Sequence, residues 1–330
     1  MEFARTAARS PGAFAVDRQD DEPTRLRFAP GAGRRQLMSV RSVVAGIGGP
    51  DPLRQALQGA QYIADEGLAT AAYLALALRK PLLLEGAPGV GKTEAGKAIG
   101  AVLGRRVIRL QCYEGVDSSA ALYEWNYSRQ ILAIRQAGDA YVNLYADEFL
   151  LSRPLLESLR DPGGTLLLID EIDRSDHEFE AFLLEYLSDF AISIPETGTI
   201  RAAEPPPVIL TSNRTRDLHE ALRRRCVYHW IDYPDPELEA RIVLTRASSV
   251  VHETAAAVVA AVGRLRNEPL VKPPGVAETV EWAEAATLLR SQGENWPEAF
   301  RRAVGVALKD HDDLEYIRPR LDAVIEGIAT

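Results

Sequence analysis

A glycine-rich turn between an apolar run and a helix-forming segment constrains the fold of this chain more than any other feature. Residues 82–84 are all leucine, and they lead into EGAPGVGKT at 85–93. Glycines let the backbone wrap an anion without Cβ clashes, and exposed N–H groups at a helix N-terminus supply partial positive charge. In this pattern Lys92 reaches the β- and γ-phosphates of a nucleotide, and the Thr93 hydroxyl ligates Mg²⁺. The segment therefore predicts a strand, a phosphate-binding loop and a helix that together bind ATP and Mg²⁺. The residues predicted to contact the nucleotide are Gly86, Ala87, Pro88, Gly89, Val90, Gly91, Lys92, Thr93 and Glu94.

A buried strand that ends in acids is the second nucleotide signature. Residues 166–169 are wholly apolar, and Asp170 and Glu171 follow directly. Burying charge is costly, so two carboxylates at the end of such a strand indicate a function. Successive strand side chains point in opposite directions. Asp170 can therefore face Mg²⁺ beside Thr93, while Glu171 orients or deprotonates the attacking water. The alternative is that these acids, and Asp173 above all, cap a following helix.

A third predicted strand, 208–211, is apolar at 208–210 and runs into the polar residues Thr211, Ser212 and Asn213. An asparagine at this place could hold the attacking water or an oxygen of the γ-phosphate. The alternative is a turn residue, because asparagine is common after strands.

Three consecutive arginines, Arg223, Arg224 and Arg225, stand at the end of a predicted helix just before a strand. They could form a solvated patch or interact with the helix C-terminus. After a phosphate-binding loop, paired acids and an asparagine, in that order, we expect Arg225 and Arg224 to stabilise γ-phosphate charge in a neighbouring subunit. Such residues cannot reach the site of their own chain, so this interpretation predicts a homo-oligomer.

Alternating strand and helix patterns predict an α/β fold. The predicted strands are 82–84, 106–110, 166–169, 208–211 and 228–231. Strands that alternate with helices indicate a parallel sheet with helices on both faces, here of the P-loop NTPase type. One further helix is predicted across 52–79. Beyond residue 233 the chain is rich in Ala, Leu, Glu and Arg, which predicts a small all-helical lid.

Three regions follow from these patterns. Residues 1–50 are rich in Arg, Ala, Gly and Pro and predict a disordered or weakly ordered tail. A transit peptide is the alternative, although the acids at 17–22 argue against it. Residues 51–233 form the predicted ATP-binding domain, and residues 234–330 form the predicted helical lid domain.

Composition and charge restrict the function classes. The 330 residues are 46% hydrophobic and carry a formal net charge of −9, which argues against a general nucleic-acid or anionic-membrane binder. No apolar run approaches the roughly 20 residues that span a bilayer, and no secretory segment follows the N-terminus. We therefore expect a cytoplasmic protein. We expect Cys112 and Cys226 to be ordinary buried residues. The five histidines lack the paired spacing of metal ligands.

The order of these motifs resembles the AAA+ ATPases. Within them the chain looks like the MoxR group, and most closely its CoxD-like branch, which is linked to maturation of molybdenum–copper carbon monoxide dehydrogenase and related hydroxylases. The resemblance covers residues 52 to about 290. It is carried by EGAPGVGKTE (85–94), RLQCYEGVDSSAALYEWNYSRQ (109–130), LLLIDEIDRSDHEFEAFLLEYLSDFAISIPETGTI (166–200), ILTSNRTRDLHEALRRRCVYHWIDYP (209–234) and KPPGVAETVEW (272–282).

The resemblance implies roles and partners. Asn213 matches sensor 1, and Arg225 with Arg224 matches the arginine-finger position. Residues 117–145 match an insert in the second helix of this clade, and residues 188–204 match a β-hairpin that would face a central pore. Proteins of this group are similar in working as hexameric rings with a von Willebrand A-domain partner. The resemblance therefore implies an ATP-hydrolysing chaperone that remodels a protein client, such as a molybdenum hydroxylase during cofactor or metal insertion.

One segment departs from the family pattern. Members of the MoxR group carry an arginine, sensor 2, at the start of a lid helix, whereas KPPG stands in that region here, at 272–275. Lys272 could substitute, but it lacks the guanidinium fork of arginine.

Two other functions stay open at this point. A nucleotide-gated binding switch, with slow turnover and a scaffold role, fits the altered sensor 2 region. A McrB-like nucleic-acid translocase is the other, and the acidic balance and the lack of a DNA-binding motif count against it.

Overall fold

Five parallel strands form the sheet that the sequence predicts. The structure is a computed structural model, and it describes residues 46–116, 121–138, 140–247 and 249–327. In chain order the described strands are β1 (Leu82–Gly86), β2 (Arg106–Gln111), β3 (Tyr123–Trp125), β4 (Leu150–Ser152), β5 (Thr165–Asp170), β6 (Ala191–Ile194), β7 (Gly198–Arg201), β8 (Val208–Ser212) and β9 (Val227–Ile231). The parallel sheet has the order β2-β5-β8-β1-β9. This order is typical of the core of P-loop AAA proteins, and the predicted α/β fold class is confirmed.

Helices cover both faces of this sheet and then form the C-terminal part of the chain. In chain order the described α-helices are α1 (Pro50–Gly59), α2 (Glu66–Leu78), α3 (Lys92–Val102), α4 (Tyr127–Ala137), α5 (Pro154–Arg160), α6 (His177–Asp189), α7 (Glu220–Arg225), α8 (Pro236–Arg246), α9 (His252–Arg266), α10 (Val276–Ser291), α11 (Trp296–Arg302), α12 (Val304–Ala307), α13 (His311–Ile317) and α14 (Leu321–Val324). Among them, none combines the length and the apolar character that a bilayer crossing requires.

Alternate residues of the central strands enter two different hydrophobic cores. Leu166 and Leu168 of β5 pack with residues of α1, α2 and α3, whereas Leu167 and Ile169 pack with residues of α5, α6 and α7. Because strand side chains alternate between faces, a strand that is apolar at every position must be covered on both sides. The continuous apolar runs in the sequence therefore correspond to the two-sided packing that the structure shows.

The single helix predicted across 52–79 is wrong. The structure has two helices, α1 and α2, separated by a turn in which Gln61 adopts a left-handed conformation with φ 60°. Asp65 begins the second helix by accepting a hydrogen bond from Leu68 N at 2.6 Å. Apolar residues at helical spacing continue across this break, and they obscured the one local signal of a new helix, the N-cap residue Asp65.

Residues beyond the sheet form a helical region with its own core. Trp282 and Phe300 are fully buried there and pack edge to face, with ring centroids 5.3 Å apart. The described residues from 234 onward contain no strand, in agreement with the all-helical prediction. The exact domain boundaries stay a prediction, and residues 1–45 of the predicted tail lie outside the described part of the chain.

Two small antiparallel pairs lie outside the main sheet. Strands β6 and β7 form a hairpin within residues 188–204, where the family resemblance implies one. Strands β3 and β4 pair within and beside the region matched to the family insert, and their three residues each are too few for a periodicity signal. Residues 117–120 and 139 of that insert lie outside the described residues.

The start of α10 lies directly against the glycine-rich turn. Val276 N donates a hydrogen bond to Gly89 O at 3.0 Å. A Cβ added at Gly275 would lie 2.7 Å from Gly89 Cα, so the two backbones approach more closely than a side chain allows. This contact joins the helical region to the sheet at the turn.

We expect Gly275→Ala to destabilise the protein by about 1–3 kcal/mol, because the new methyl group must push α10 away from the turn. Gly263→Ala is the matched control, since a Cβ at Gly263 in α9 meets nothing within 4 Å. That substitution should instead stabilise by about 0.5–1 kcal/mol, the cost of glycine inside a helix. Urea unfolding followed by circular dichroism measures both changes, and equal unfolding midpoints for the two variants would contradict the packing argument.

Candidate functional site

The glycine-rich turn connects β1 to α3 and needs glycine at three positions. Gly89 and Gly91 have φ angles of 77° and 93°, which residues with a Cβ rarely adopt. At Gly86 a Cβ would collide with the backbone carbonyl oxygen of Ile231 on the neighbouring strand β9. The turn therefore leaves its backbone N–H groups and the N-terminus of α3 accessible to an anion, as the sequence predicts.

Lys92 is the buried cation of this turn. Its Nζ atom donates hydrogen bonds to the carbonyl oxygens of Gly86 and Ala87, at 2.8 and 2.7 Å. Burial lowers the pKa of Lys92 to about 8, although the nearby charges of Asp173, Asp170 and Glu171 oppose that shift. At neutral pH the side chain is therefore mostly protonated and able to attract phosphate oxygens.

Asp170 ends β5 beside the first turn of α3. Its Oδ1 atom accepts a hydrogen bond from Thr93 Oγ1 at 2.9 Å and another from Thr211 Oγ1. Its Oδ2 atom accepts from Arg109 Nε at 2.8 Å. A hydroxyl and a carboxylate side by side are the hard oxygen donors that Mg²⁺ prefers, so Thr93 and Asp170 fit a magnesium site.

Glu171 lies at the same end of the sheet, with its carboxylate held by two partners. Its Oε2 atom accepts a hydrogen bond from Gln111 Nε2 at 3.0 Å and pairs with Arg174 Nε at 2.9 Å. Its own backbone is left-handed, with φ 55°, and its N–H donates to Thr211 Oγ1 at 2.9 Å. A left-handed glutamate persists only when its surroundings hold it, which these contacts do.

Asn213 and Asp173 meet where β8 ends. Asn213 N donates a hydrogen bond to Asp173 Oδ1 at 3.1 Å. The N-cap of α6 is Asp176, which accepts from Phe179 N at 2.7 Å. Helix capping, the alternative considered for Asp173, is therefore performed by Asp176, and Asp173 faces the segment after β8 instead.

A cavity of about 750 Å³ brings these residues together. From the predicted site, its wall includes Pro88, Gly89, Val90, Gly91, Lys92, Thr93, Glu94, Asp170, Glu171 and Asn213. Tyr62, Trp230, Tyr233, Ile242 and Val280 line other parts of the wall, so the helical region contributes to it. Gly86 and Ala87 contribute the carbonyl oxygens that bind Lys92 rather than part of this wall.

The three arginines of α7 are not part of the cavity wall. Arg223 Nη2 pairs with the buried Glu85 at 3.1 Å, and Arg225 Nε donates to Ser188 Oγ at 3.1 Å. Arg224 is exposed and pairs with a glutamate one turn earlier on the same helix. The structure therefore does not bring Arg224 and Arg225 to the site of their own chain, and their action in a neighbouring copy stays a prediction.

The helical region provides a cation to the cavity from an unexpected place. Lys272, the candidate from sequence, pairs with Asp310 at 3.1 Å and is not in the cavity wall. Arg246, at the end of α8, is in the wall and pairs with Glu94 of α3 at 2.8 Å. This ion pair is a second connection between the helical region and the phosphate-binding turn.

Sequence reasoning missed several polar partners of the site: Arg109, Gln111, Arg174, Thr211 and Arg246. Arg109 and Gln111 alternate at the end of β2, and such a polar pair at the carboxyl end of a strand was a usable signal. Nothing in the local pattern around Arg246 distinguishes it from other exposed arginines on a helix.

Comparison with known proteins finds a family match within the α/β part of the chain. Residues 81–226 match the family model of the AAA domain, dynein-related subfamily. The chain is also 27% identical, over 187 residues, to an uncharacterized protein of Staphylococcus haemolyticus. That match covers 54% of this chain and 65% of the relative, so the chain spans less than two thirds of the relative's length. An AAA domain implies ATP binding, usually with Mg²⁺, and AAA proteins commonly form oligomers.

We expect Arg246→Ala to accelerate nucleotide release about two- to fivefold. The ion pair of Arg246 with Glu94 connects α8 to α3 beside the nucleotide cavity, so its loss should ease release. The effect should be small because an exposed ion pair contributes little free energy. Lys97→Ala is the matched control, since Lys97 also pairs with Glu94, at 2.7 Å, but lies on α3 itself. Stopped-flow displacement of a fluorescent ADP analogue measures the release rate. If both variants released the analogue at the same rate, the Arg246–Glu94 pair would not connect the helical region to the bound nucleotide.

Proposed function

We propose that this chain, with its AAA domain at residues 81–226, hydrolyses ATP in the cavity between its sheet and its helical region. The observation that carries the proposal is the meeting of Lys92, Thr93, Asp170, Glu171 and Asn213 around one cavity, although they come from the start of α3 and from the ends of two separate strands, β5 and β8. Each of these residue types has a role in breaking a phosphoanhydride bond.

The phosphate-binding turn and Lys92 bind the triphosphate. The backbone N–H groups of the turn and the N-terminus of α3 face the anion. The Lys92 ammonium exchanges the carbonyl oxygens of Gly86 and Ala87 for phosphate oxygens. Thr93 and Asp170 would hold Mg²⁺, which would supply neutralisation of the phosphate charge. Arg109 keeps the remaining oxygen of Asp170 in place.

Glu171 and Asn213 act on the attacking water. The Glu171 carboxylate accepts a proton from the water while the water oxygen bonds to the γ-phosphorus. At the same time the bond between the γ-phosphorus and the β–γ bridging oxygen breaks. The Asn213 amide positions that water. For this to occur, the Glu171 carboxylate must turn from Gln111 and Arg174 toward the water.

Arg225, with Arg224, neutralises the charge that develops on the γ-phosphate of an adjoining copy. Both lie on α7, outside the cavity wall of their own chain, and Arg224 is exposed and paired with Glu220 of the same helix. This arrangement supports a ring-shaped homo-oligomer, which we propose is a hexamer.

The finer proposal is a cytoplasmic MoxR-type chaperone that uses hydrolysis to remodel a protein client, with a von Willebrand A-domain partner. The sequence stretches at 166–200 and 209–234 support it, as does the hairpin β6–β7 in the expected segment. Contacts of α8 and α10 with the phosphate-binding turn give nucleotide state a route to the helical region. We propose a molybdenum hydroxylase as the client and its cofactor or metal insertion as the process.

One observation favours a nucleotide-gated switch with slow turnover as the second candidate. The Glu171 carboxylate is held by Gln111 and Arg174, so the water-activating group is restrained. Turnover that no partner protein stimulates would favour this switch, and a salt-sensitive rise in turnover on adding DNA would favour a translocase.

We expect Glu171→Gln to reduce ATP turnover at least about 100-fold while ATP still binds, because the amide cannot accept the water proton. Phosphate release measures turnover, and a fluorescent ATP analogue measures binding. Glu178→Gln is the control, because it is the same glutamate-to-glutamine substitution at an exposed position on α6. Unchanged turnover in Glu171→Gln would overturn the assignment of the base.

A mixture of Arg225→Ala and Glu171→Gln chains should recover activity that neither variant has alone. A junction is intact when one copy contributes Glu171 and its neighbour contributes Arg225, which random mixing gives at roughly a quarter of junctions in a ring. Phosphate release by the mixed sample, after subunit exchange, measures the recovery. No gain over the separate variants would show that Arg225 does not act between copies.

A further inference from the structure

The segment that follows β8 is bound at both of its ends to the segment that follows β5. Asp173 is only 2% exposed, and its Oδ1 atom accepts the N–H of Asn213 at 3.1 Å. Its Oδ2 atom accepts both Thr215 N, at 2.8 Å, and Thr215 Oγ1, at 2.7 Å. Further along, Arg216 Nε donates to Ser175 O at 3.1 Å. One buried carboxylate therefore receives three hydrogen bonds from the residues on either side of Arg214.

These bonds hold an unfavourable backbone. Arg214 follows Asn213 directly and has a left-handed conformation with φ 58°. A non-glycine residue keeps such a conformation only when the surroundings hold it. Ser212 Oγ accepts Arg214 N at 3.0 Å, and the Asp173 carboxylate fixes the residues on both sides. Among these contacts, few besides those of Asp173 fix the orientation of Asn213 after the end of β8.

The carboxylate is ionised in this setting. Burial by itself would raise the pKa of Asp173, but the hydrogen bonds from Thr215 and Asn213 outweigh it and the pKa lies below its usual value. A charged acceptor binds its donors more strongly than a neutral one.

Asp173 also stands two residues after Glu171, on the same short segment. The Glu171 N–H is bound by Thr211 of β8, and Arg174 pairs with the Glu171 carboxylate. The ends of β5 and β8 are thus tied to each other by Asp173 on one side of Glu171 and by Thr211 on the other. The relative position of Glu171 and Asn213 depends on this connection.

We propose that Asp173 is a positioning residue for hydrolysis, which sets Asn213 relative to Glu171 without itself touching the nucleotide. The inference rests on the proposed function, because it assigns Asp173 an effect on the water that Asn213 and Glu171 share. It differs from a role through Lys92, whose charge Asp173 also influences. A role through Lys92 would change nucleotide affinity, whereas a role through Asn213 changes the rate of the chemical step.

Asp173→Asn keeps the shape of the side chain but replaces one acceptor oxygen by a donor, which must face the N–H of either Asn213 or Thr215. We expect kcat to fall about tenfold or more while the dissociation constant of a fluorescent ATP analogue changes less than about threefold. Combined with Asn213→Ala, it should cost no more than Asn213→Ala alone, because both act on the same water. Additive losses, or a loss of affinity with kcat unchanged, would overturn the proposal.

Two further comparisons separate positioning from general destabilisation. Tyr186→Phe removes a buried hydrogen bond to Ser158, 2.6 Å long and outside the cavity wall, and should lower stability without a comparable fall in kcat. If Asp173→Asn does not fold, Thr215→Val and Thr215→Ser replace it. The serine keeps the hydroxyl donor and should retain kcat, whereas the valine should lower it, and equal rates for the two would overturn the proposal.

The controls for the proposed function distinguish the two possible failures. If the unsubstituted chain shows no ATP turnover, the hydrolysis proposal itself fails, and if Glu171→Gln and Asn213→Ala leave turnover intact, the roles proposed for Glu171 and Asn213 fail. If both reduce turnover while Asp173→Asn keeps the kcat of Tyr186→Phe, hydrolysis stands and only the positioning role of Asp173 is lost.

Discussion

A buried carboxylate at the end of β5 is the constraint on which the rest of the site depends. Asp170 has nearly no exposure, and the hydroxyl groups of Thr93 and Thr211 and the guanidinium of Arg109 are directed at its carboxylate. Burying an ion without such partners is costly. These partners come from three other elements, so satisfying one charge fixes β2, β8 and the start of α3 around the cavity.

The same requirement recurs along the carboxyl edge of the sheet. Glu85, just before the phosphate-binding turn, is buried and pairs with Arg223 of α7, and Asp173 accepts three donors from the segment after β8. Each buried acid joins one strand end to a neighbouring element. In parallel sheets the loops at this edge face the ligand crevice, so the polar connections that satisfy the acids also organise the residues around the nucleotide.

The central strands and the glycine-rich turn could be predicted because each depends on residues that are close together in the sequence. Apolar runs became β1, β5 and β8, the alternating segment at 106–110 became β2, and the segment at 228–231 became β9, while the glycine spacing of the turn matches its conformation. The break between α1 and α2 was missed because apolar periodicity continued across it, and β3 and β4 because three residues carry too little pattern. The partners of Asp170 and Glu171 on β2 were missed because they are 60 residues or more away in sequence.

The chemical types at the site could be inferred from the sequence alone: a phosphate-binding turn, two acids after a buried strand and an asparagine. Their spacing along the chain carries that information, because each lies at the end of a strand in a parallel sheet. Which side chains hold one another became known from the three-dimensional arrangement. Asp173 binds the Asn213 segment and leaves the capping of α6 to Asp176, and Arg246 rather than Lys272 lies in the cavity wall. Those choices depend on distances between elements far apart in the chain, which strand order and packing set and local pattern does not.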